Sequence, residues 1–335
     1  MRASTQDRII ERIERDTIRR LDTMQAAAVR EVERLWMQTK RKLKTMIAYE
    51  YNANHKGGWT HTDAYMKGTI HRIARNARVL TNHFKHEAFQ VFGRRLKEIY
   101  WESVYRHAYQ LDVTTPPSFK VKLPKNPSFK EAMRIYSGPD AMVDYRERWS
   151  AWMDSYNSAL EQNLRLGAIN ESTATDAMDE VDATRAGSPS FDVFDAMNRI
   201  MNAEAVSTAS LGSLDVSSAN DDLDVVEIWK ARDWSRVCDD CDANDGLEID
   251  EADGEIPLHP NCNCYYRLVP RAWAELLRSG DADDVELARL MDAQGRVPNS
   301  MLIKNDDGNL VGAVIVNFEG WMQDNAMVIS SGGFE

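Results

Sequence analysis

Apolar positions recur at steps of three and four, or sums of those steps, along most of the first third of the chain. Between residues 5 and 50 they fall at Ile10, Ile13, Leu21, Met24, Ala28, Val32, Leu35, Leu43 and Met46, with Arg, Glu, Gln and Ala between them. That period lines one face of a helix, and the intervening residues favour helix. A helix beyond ~25 residues belongs to a coiled coil, a projecting arm or a packed helical array. Gly57-Gly58 breaks it. A second run, about 61–110, carries Ile70, Ile73, Leu80, Phe84, Phe89, Phe92, Leu96, Ile99 and Tyr100 at the same period, and no proline precedes residue 116.

The pattern then changes. Residues 112–127 hold four prolines and read as a linker or an extended crossing segment. Helical periodicity resumes over about 128–166, with Trp149 and Trp152. A short helix is expected between polar breaks in 167–191, another helix over 191–207, and a Ser/Asp/Asn-rich loop over Leu211–Asp222. Val225–Ala231, Glu248–Ile249 and Tyr265–Val269 read as short strands. A last helix fits 271–294, and the Asp-Gly within Met301–Phe318, flanked by apolar runs, signals a hairpin. Residues 330–335 read as a frayed tail. The pattern predicts a mainly α protein with a small β-rich, Cys/His-stapled subdomain, long N-terminal helices and a C-terminal β-hairpin. The segments are a basic long-helix arm (1–115), a proline-rich linker (116–127), a helical region (128–224), a stapled knob (225–270), and a helix, hairpin and flexible tail (271–335).

Charge sharpens this division. The formal charge is −12 over 335 residues, but residues 1–150 carry +12 and residues 151–335 carry −24. Such asymmetry points to different partners for the two halves. The hydrophobic content of 43% excludes wholesale disorder, and no apolar run approaches the ~20 residues of a transmembrane helix. The charged N-terminus has no secretory signal, which makes the cytosol the expected site of assembly and a membrane an unexpected partner.

All four cysteines lie within residues 238–264. Cys238-Asp-Asp-Cys241 puts two thiols on one tight turn. His259-Pro-Asn-Cys262-Asn-Cys264 follows after 17 intervening residues, a spacing that suits a hairpin between two ligand pairs. Zinc takes four N/S ligands in a tetrahedron, so five candidates compete for four places, and the spacing does not choose between Cys262 and Cys264. Disulfides are disfavoured in a reducing compartment. A redox Cys-x-x-Cys needs a strand–helix context that is absent here. Packing without a ligand is the remaining alternative. A structural Zn²⁺ accounts best for a loop-rich, acidic segment with little apolar area of its own. No deaminase pattern and no His-Glu-x-x-His helix accompanies the cluster, so no catalytic residues and no small-molecule substrate are expected. Asp239, Asp240, Asp242 and Asp245 read as a solvated acidic face.

In this region the chain resembles the Mu F-like minor head proteins, the head morphogenesis family of tailed phages. The resemblance is carried over residues 229–270 by Trp229, Asp233, Val237, Cys238, Cys241, Asp245, Gly246, Pro257, His259, Pro260, Asn261, Cys262 and Cys264. The chain departs from the family in having Asn263 where Arg is usual. It also has Asn202-Ala203-Glu204 where an upstream helix commonly carries Arg-Thr-Glu. The 65 residues after Pro270 are too few for the extra enzymatic domain that some members carry. The resemblance implies a structural minor capsid protein of the virion, not an enzyme. It would be assembled in the host cytoplasm and act in head morphogenesis and DNA packaging or delivery. Its partners would be the portal, the major capsid protein and packaged DNA.

Residues 51–110 contain ten Lys/Arg, four Asp/Glu and six of the seven histidines. Arg72, Arg75 and Arg78 share a broad helical face, and Arg94, Arg95 and Lys97 form a second basic group. Both are candidates for DNA or for an acidic partner surface. The rival function is a zinc-stapled nucleic-acid-binding module acting outside the virion. The basic helices and the knob read as separate modules, so loss of the staple should leave the helices intact.

Overall fold

A computed structural model describes residues 5–54, 63–114, 121–125, 145–169, 174–184, 193–232, 237–259, 262–271, 301–304, 310–314 and 318–324. Helices dominate: α1 (Thr5–Asn54), α2 (Asp63–Thr114), α3 (Tyr145–Ile169), α4 (Ala174–Ala183) and α5 (Val193–Ala219), then a short 3-10 turn at Asp221–Leu223. The chain continues through β1 (Val225–Lys230), α6 (Asp239–Ala243), β2 (Tyr265–Pro270), β3 (Met301–Lys304), β4 (Leu310–Val314) and α7 (Phe318–Asp324). β1 pairs antiparallel with β2, and β3 with β4, the latter being the expected C-terminal hairpin. The helix expected over 271–294 and the tail lie outside the described residues, as does the stretch before Tyr145 in the helix expected over 128–166. Among the described residues no helix is long and apolar enough to cross a membrane.

The chain forms two compact units that cut across the segments read from composition. One comprises 1–24, 97–133 and 205–335; the other comprises 25–96 and 134–204. The expected boundaries at 115 and 224 do not delimit them, because α1, α2 and α5 each contribute to both. Buried area between faces, and not composition, decides what packs with what.

The 25–96/134–204 unit is held by aromatic side chains, among them Phe84, Phe89 and Phe92, which the helical period places on one face, and Trp36 and Tyr156, which it did not single out. Trp36 lies against Phe84 (centroids 5.1 Å apart) and edge-on to Tyr156 (5.2 Å), while Trp149 stacks on Phe89 and Phe92. Each such pair adds ~0.5–1.5 kcal/mol beyond its area burial. Buried Thr81 and Asn157 bond to each other, and Tyr156 donates to the Val181 carbonyl across to α4. Thr81, Asn157 and Tyr156 are thereby satisfied where they would otherwise oppose burial.

In the other unit, the end of α2 supplies Tyr100, Val104, Ala108 and Leu111, which pack with Ile13 of α1, Val216 of α5, Leu268 of β2 and Trp321 of α7. Trp321 Nε1 donates to Asp112 at 2.9 Å. His107 is buried, its Nδ1 2.7 Å from the Ser103 carbonyl, and desolvation pushes the imidazole down to about 4, so it is neutral near pH 7. The proline-rich crossing is anchored here too. Asn220, fully buried, accepts from the Lys122 amide at 2.7 Å and donates to the Lys122 carbonyl at 2.8 Å.

The loop expected over Leu211–Asp222 is a correction: α5 runs through it to Ala219. Its serines do not compete with the helix, since Ser213 Oγ bonds back to the Ser210 carbonyl. Their small size also lets α2 approach closely. A Cβ on Gly212 would lie 2.9 Å from the Tyr100 carbonyl oxygen and 3.0 Å from Ser103 Cβ. In an isolated helix Gly→Ala gains ~1 kcal/mol. At this crossing the sign reverses, because backbone must move, and Gly212→Ala is expected to destabilise the unit by about 1–3 kcal/mol. A chemical-denaturation midpoint raised by the substitution would contradict the close crossing.

Candidate metal centre

The knob is built around β1. On one edge it pairs with β2, Trp229 opposite Tyr266. On the other edge it receives residues 246–249: Trp229 N–H donates to the Leu247 carbonyl, Gly246 N–H to the Trp229 carbonyl, and Ile249 N–H to the Glu227 carbonyl. The strand read at Glu248–Ile249 is therefore a single bridge, Ile228 opposite Glu248. Trp229 is fully buried and meets Tyr266 edge-on, with centroids 6.1 Å apart. Both pack against Cys241, Cys262, Cys264 and Ile256.

Local turns carry the ligand-bearing residues. Asp245 Oδ1 accepts from the Ala231 amide at 2.9 Å, and Gly246 follows at φ +87°, a conformation that favours glycine. This accounts for the Asp-Gly of the sequence signature. Asn244, buried, clamps the loop by bonding both ways to the backbone of Asp253. The Tyr266 hydroxyl accepts from the Ile256 amide at 3.0 Å, just before the cis Ile256-Pro257 bond. Cys262 N–H donates to the His259 carbonyl at 2.9 Å, closing the second ligand turn. Asp233, Pro260 and Asn261 lie outside the described residues.

All five Cys/His candidates converge. His259 Nε2 lies 3.1 Å from Cys238 Sγ and 3.3 Å from Cys241 Sγ, and Cys241 Sγ lies 3.8 Å from Cys262 Sγ. Two triads have their ligand atoms within 4.8 Å of one another, Cys238/Cys241/His259 and Cys241/Cys262/Cys264, and Cys241 belongs to both. Donors at ~2.3 Å from an ion in a tetrahedron stand about 3.8 Å apart, the separation of the Cys241 and Cys262 sulfurs. Cys238 caps α6, its sulfur accepting from the Cys241 amide at 3.4 Å. Cys241, Cys262 and Cys264 are buried, and none of the four cysteines is in a disulfide.

Electrostatics show what the cluster lacks by itself. Burial, then the hydrogen bond with Cys238 and the nearby Cys262 charge, pushes Cys241 up to about 12. Cys264 is raised by its hydrogen bond to Cys262 and by burial, and the same bond holds Cys262 well below the usual thiol range. Three buried thiols this close cannot all ionise alone, whereas a divalent cation at their centre would stabilise every thiolate at once. The donor set, four thiols and an imidazole, suits a soft or borderline ion. The site can hold a metal ion.

The nearby carboxylates take no part. Asp239, Asp240 and Asp242 are exposed, while Asp245 is engaged with Ala231 and with Lys230 at 2.8 Å. Among the described residues, no carboxylate joins the Cys/His groups that could hold an ion.

The basic residues of α2 fall elsewhere in the fold. Arg72 pairs with Glu50, Arg78 with Glu161, and Arg94 and Arg95 both with Glu31. Arg75 and Lys97 are exposed. Glu204, the retained residue of the upstream signature, is buried and paired with Arg148 at 3.1 Å.

Sequence reasoning missed what seats the knob. Glu14 of α1, 4% exposed, grips Arg267 of β2 through two 2.6 Å bonds and accepts from the Tyr265 hydroxyl at 3.2 Å. Asp22 does the same to Arg232 with two 3.0 Å bonds. A signal existed: Glu14 sits one turn after Ile10 and beside Ile13, a carboxylate on the apolar face. The knob is accordingly not a module separate from the N-terminal helices, as composition had implied. A buried ion pair, Glu14 with Arg267, and a half-exposed one, Asp22 with Arg232, tie it to α1.

No protein-family model, no curated protein and no solved structure matches the chain.

Proposed function

We propose that this chain is a structural minor head protein of a tailed phage, with Zn²⁺ stapling the 237–264 loops. It would act in head morphogenesis and in DNA packaging or delivery near the portal. The observation that carries the reading is the 229–270 signature, whose cysteines and histidine converge on one cluster. Zinc fits the donors, since thiolate and imidazole in a closed, buried, four-coordinate set make a structural site. Bound there, the ion would cross-link the Cys238–Cys241 turn to the His259–Cys264 turn. Residues 239–255 carry little apolar surface, so the cross-link supplies the constraint that packing cannot.

The portal and the major capsid protein are the expected partners, with packaged DNA beside them. Mass spectrometry of purified proheads and virions tests the assignment. The chain should be present at a few copies per particle, and its absence from both would overturn the reading. Elemental analysis of protein purified without added metal should give one zinc per chain.

A further inference from the structure

We infer that the solvent face of α1 over residues 30–41 is a binding surface for the phosphate backbone of double-stranded nucleic acid, with Arg30, Arg34 and Arg41 as its contacts. The fold leaves some cations free and pairs others. The arginines of α2 that composition singled out are largely neutralised: Glu31, Glu50 and Glu161 each hold one or two of them. A cation paired inside its own fold releases no counterions from a polyanion without first breaking that pair.

The situation on α1 is the reverse. Residues 30–45 carry six cations and two carboxylates. Lys40 and Lys44 pair with Asp182, and Glu31 is held by Arg94 and Arg95. That leaves Arg30, Arg34, Arg41 and Lys42 against Glu33, all exposed and none with an ion-pair partner among the described residues. At 100° per residue, Arg30, Arg34 and Arg41 project within an arc of about 40°, with axial steps of about 6 and about 10.5 Å. Glu33 lies about 60° to one side of Arg30 and Lys42 about 120° to the other. The three arginines thus form a straight cationic ridge with no carboxylate in it.

A ridge of this kind fits a partner whose negative charge is dense and linear. A duplex presents one charge per ~1.7 Å of axis, so each guanidinium finds a phosphate without fine adjustment. Arginine suits phosphate further, through its fork of donors. Single strands are the poorer match, because their binding relies on aromatic platforms for the bases. Exposed Met37 lies about 20° outside the arc, no aromatic residue lies within it, and exposed Tyr49 lies about 100° round from Arg30. The inference does not rest on the head-protein reading.

The test is fluorescence anisotropy with the full chain and a labelled 30-base-pair duplex of mixed sequence, titrated between about 50 and 200 mM NaCl. Wild type should bind with a log–log salt slope near −2.7, from three phosphate contacts at ~0.9 each. Arg30→Gln/Arg34→Gln/Arg41→Gln should weaken binding at least 30-fold at the lowest salt and flatten the slope. Arg75→Gln/Lys97→Gln, which removes exposed cations of α2, should leave both unchanged. All five residues are surface cations, so circular dichroism melts of the variants should overlay the wild type. The inference is overturned if the duplex does not bind at the lowest salt or if the α1 triple variant binds like wild type. Tighter binding of a single strand of the same length, or competition by polyglutamate with no duplex binding, also overturns it. Detection or absence of the chain in virions bears on the head reading alone, so the two can fail separately.

Discussion

On the proposed reading of a metal-stapled knob, removing the ion, or replacing Cys241 by Ala, is expected to unfold residues 237–264 and to loosen the helices beneath them. Cys241 is the informative position because both triads of ligand atoms include it, so any set of four that dispenses with it breaks both triads. Binding free energies of structural zinc are about 10–16 kcal/mol at neutral pH, as large as the whole stability of an ordinary domain. The apolar cluster around the cysteines cannot make up that loss. It buries Trp229, Tyr266, Ile256 and three thiols, and the intervening loop contributes mainly carboxylates. Without the cation, the same three thiols are crowded and partly protonated. Hydrogen exchange read by mass spectrometry, with and without a strong chelator, is the measurement. Amides of 237–264 should lose all protection, those of β1 and β2 most of it, and those around residues 10–17 and 104–113 part of it. Helical peptides from 28–54, 63–92 and 149–164, in the other compact unit, should keep theirs. Chelated protein with an unchanged protection pattern in the knob would show that packing alone holds it.

That expected spread into α1 and α2 is where sequence and structure part company. The helices themselves were legible because a period of 3.6 needs only local information: Ile10, Ile13, Ala28, Val32 and Leu43 are all buried, as their spacing required. The ligand cluster was legible for a different reason. Metal chemistry restricts residue type and spacing so tightly that Cys238, Cys241, His259, Cys262 and Cys264 could be named without any fold. Three things were not readable. The serine-rich end of α5 looked like loop because serine often caps turns, and only the close crossing at Gly212 explains why small residues are useful there. The arginines of α2 looked free because Glu31, Glu50 and Glu161 lie 22 to 83 positions away in the chain. The seat of the knob was hidden most deeply, since Glu14 and Arg267 are 253 residues apart. Each of these is a tertiary fact, and local propensity is a weak prior wherever tertiary contacts decide.

The second large effect concerns that seat. Glu14→Ala should destabilise the unit containing the knob by about 3–5 kcal/mol. The carboxylate and the Arg267 side chain are 4% and 16% exposed, so truncating Glu14 strands a guanidinium in a site with little access to water. Tyr265 loses its acceptor at the same time, and Gln110, which reaches both Glu14 and the Leu268 carbonyl at 3.4 Å, loses its bond to Glu14. Glu14→Gln keeps the shape and one acceptor but not the charge, and should cost less than the Ala change. The double variant Glu14→Met/Arg267→Met should recover much of the loss, because replacing both members of a buried pair by apolar groups of similar volume is often neutral or better. That recovery separates a pair held for its charge from a pair held for its packing. A chain with two compact units need not unfold in one step, so the quantity to follow is the opening free energy of β1 and β2 amides from native-state hydrogen exchange. If Glu14→Ala shifts it by less than about 1 kcal/mol, the ion pair is peripheral. The knob would then rest on the Asp22–Arg232 pair and on the apolar cluster that Leu268 shares with Ile13, Val104 and Ala108.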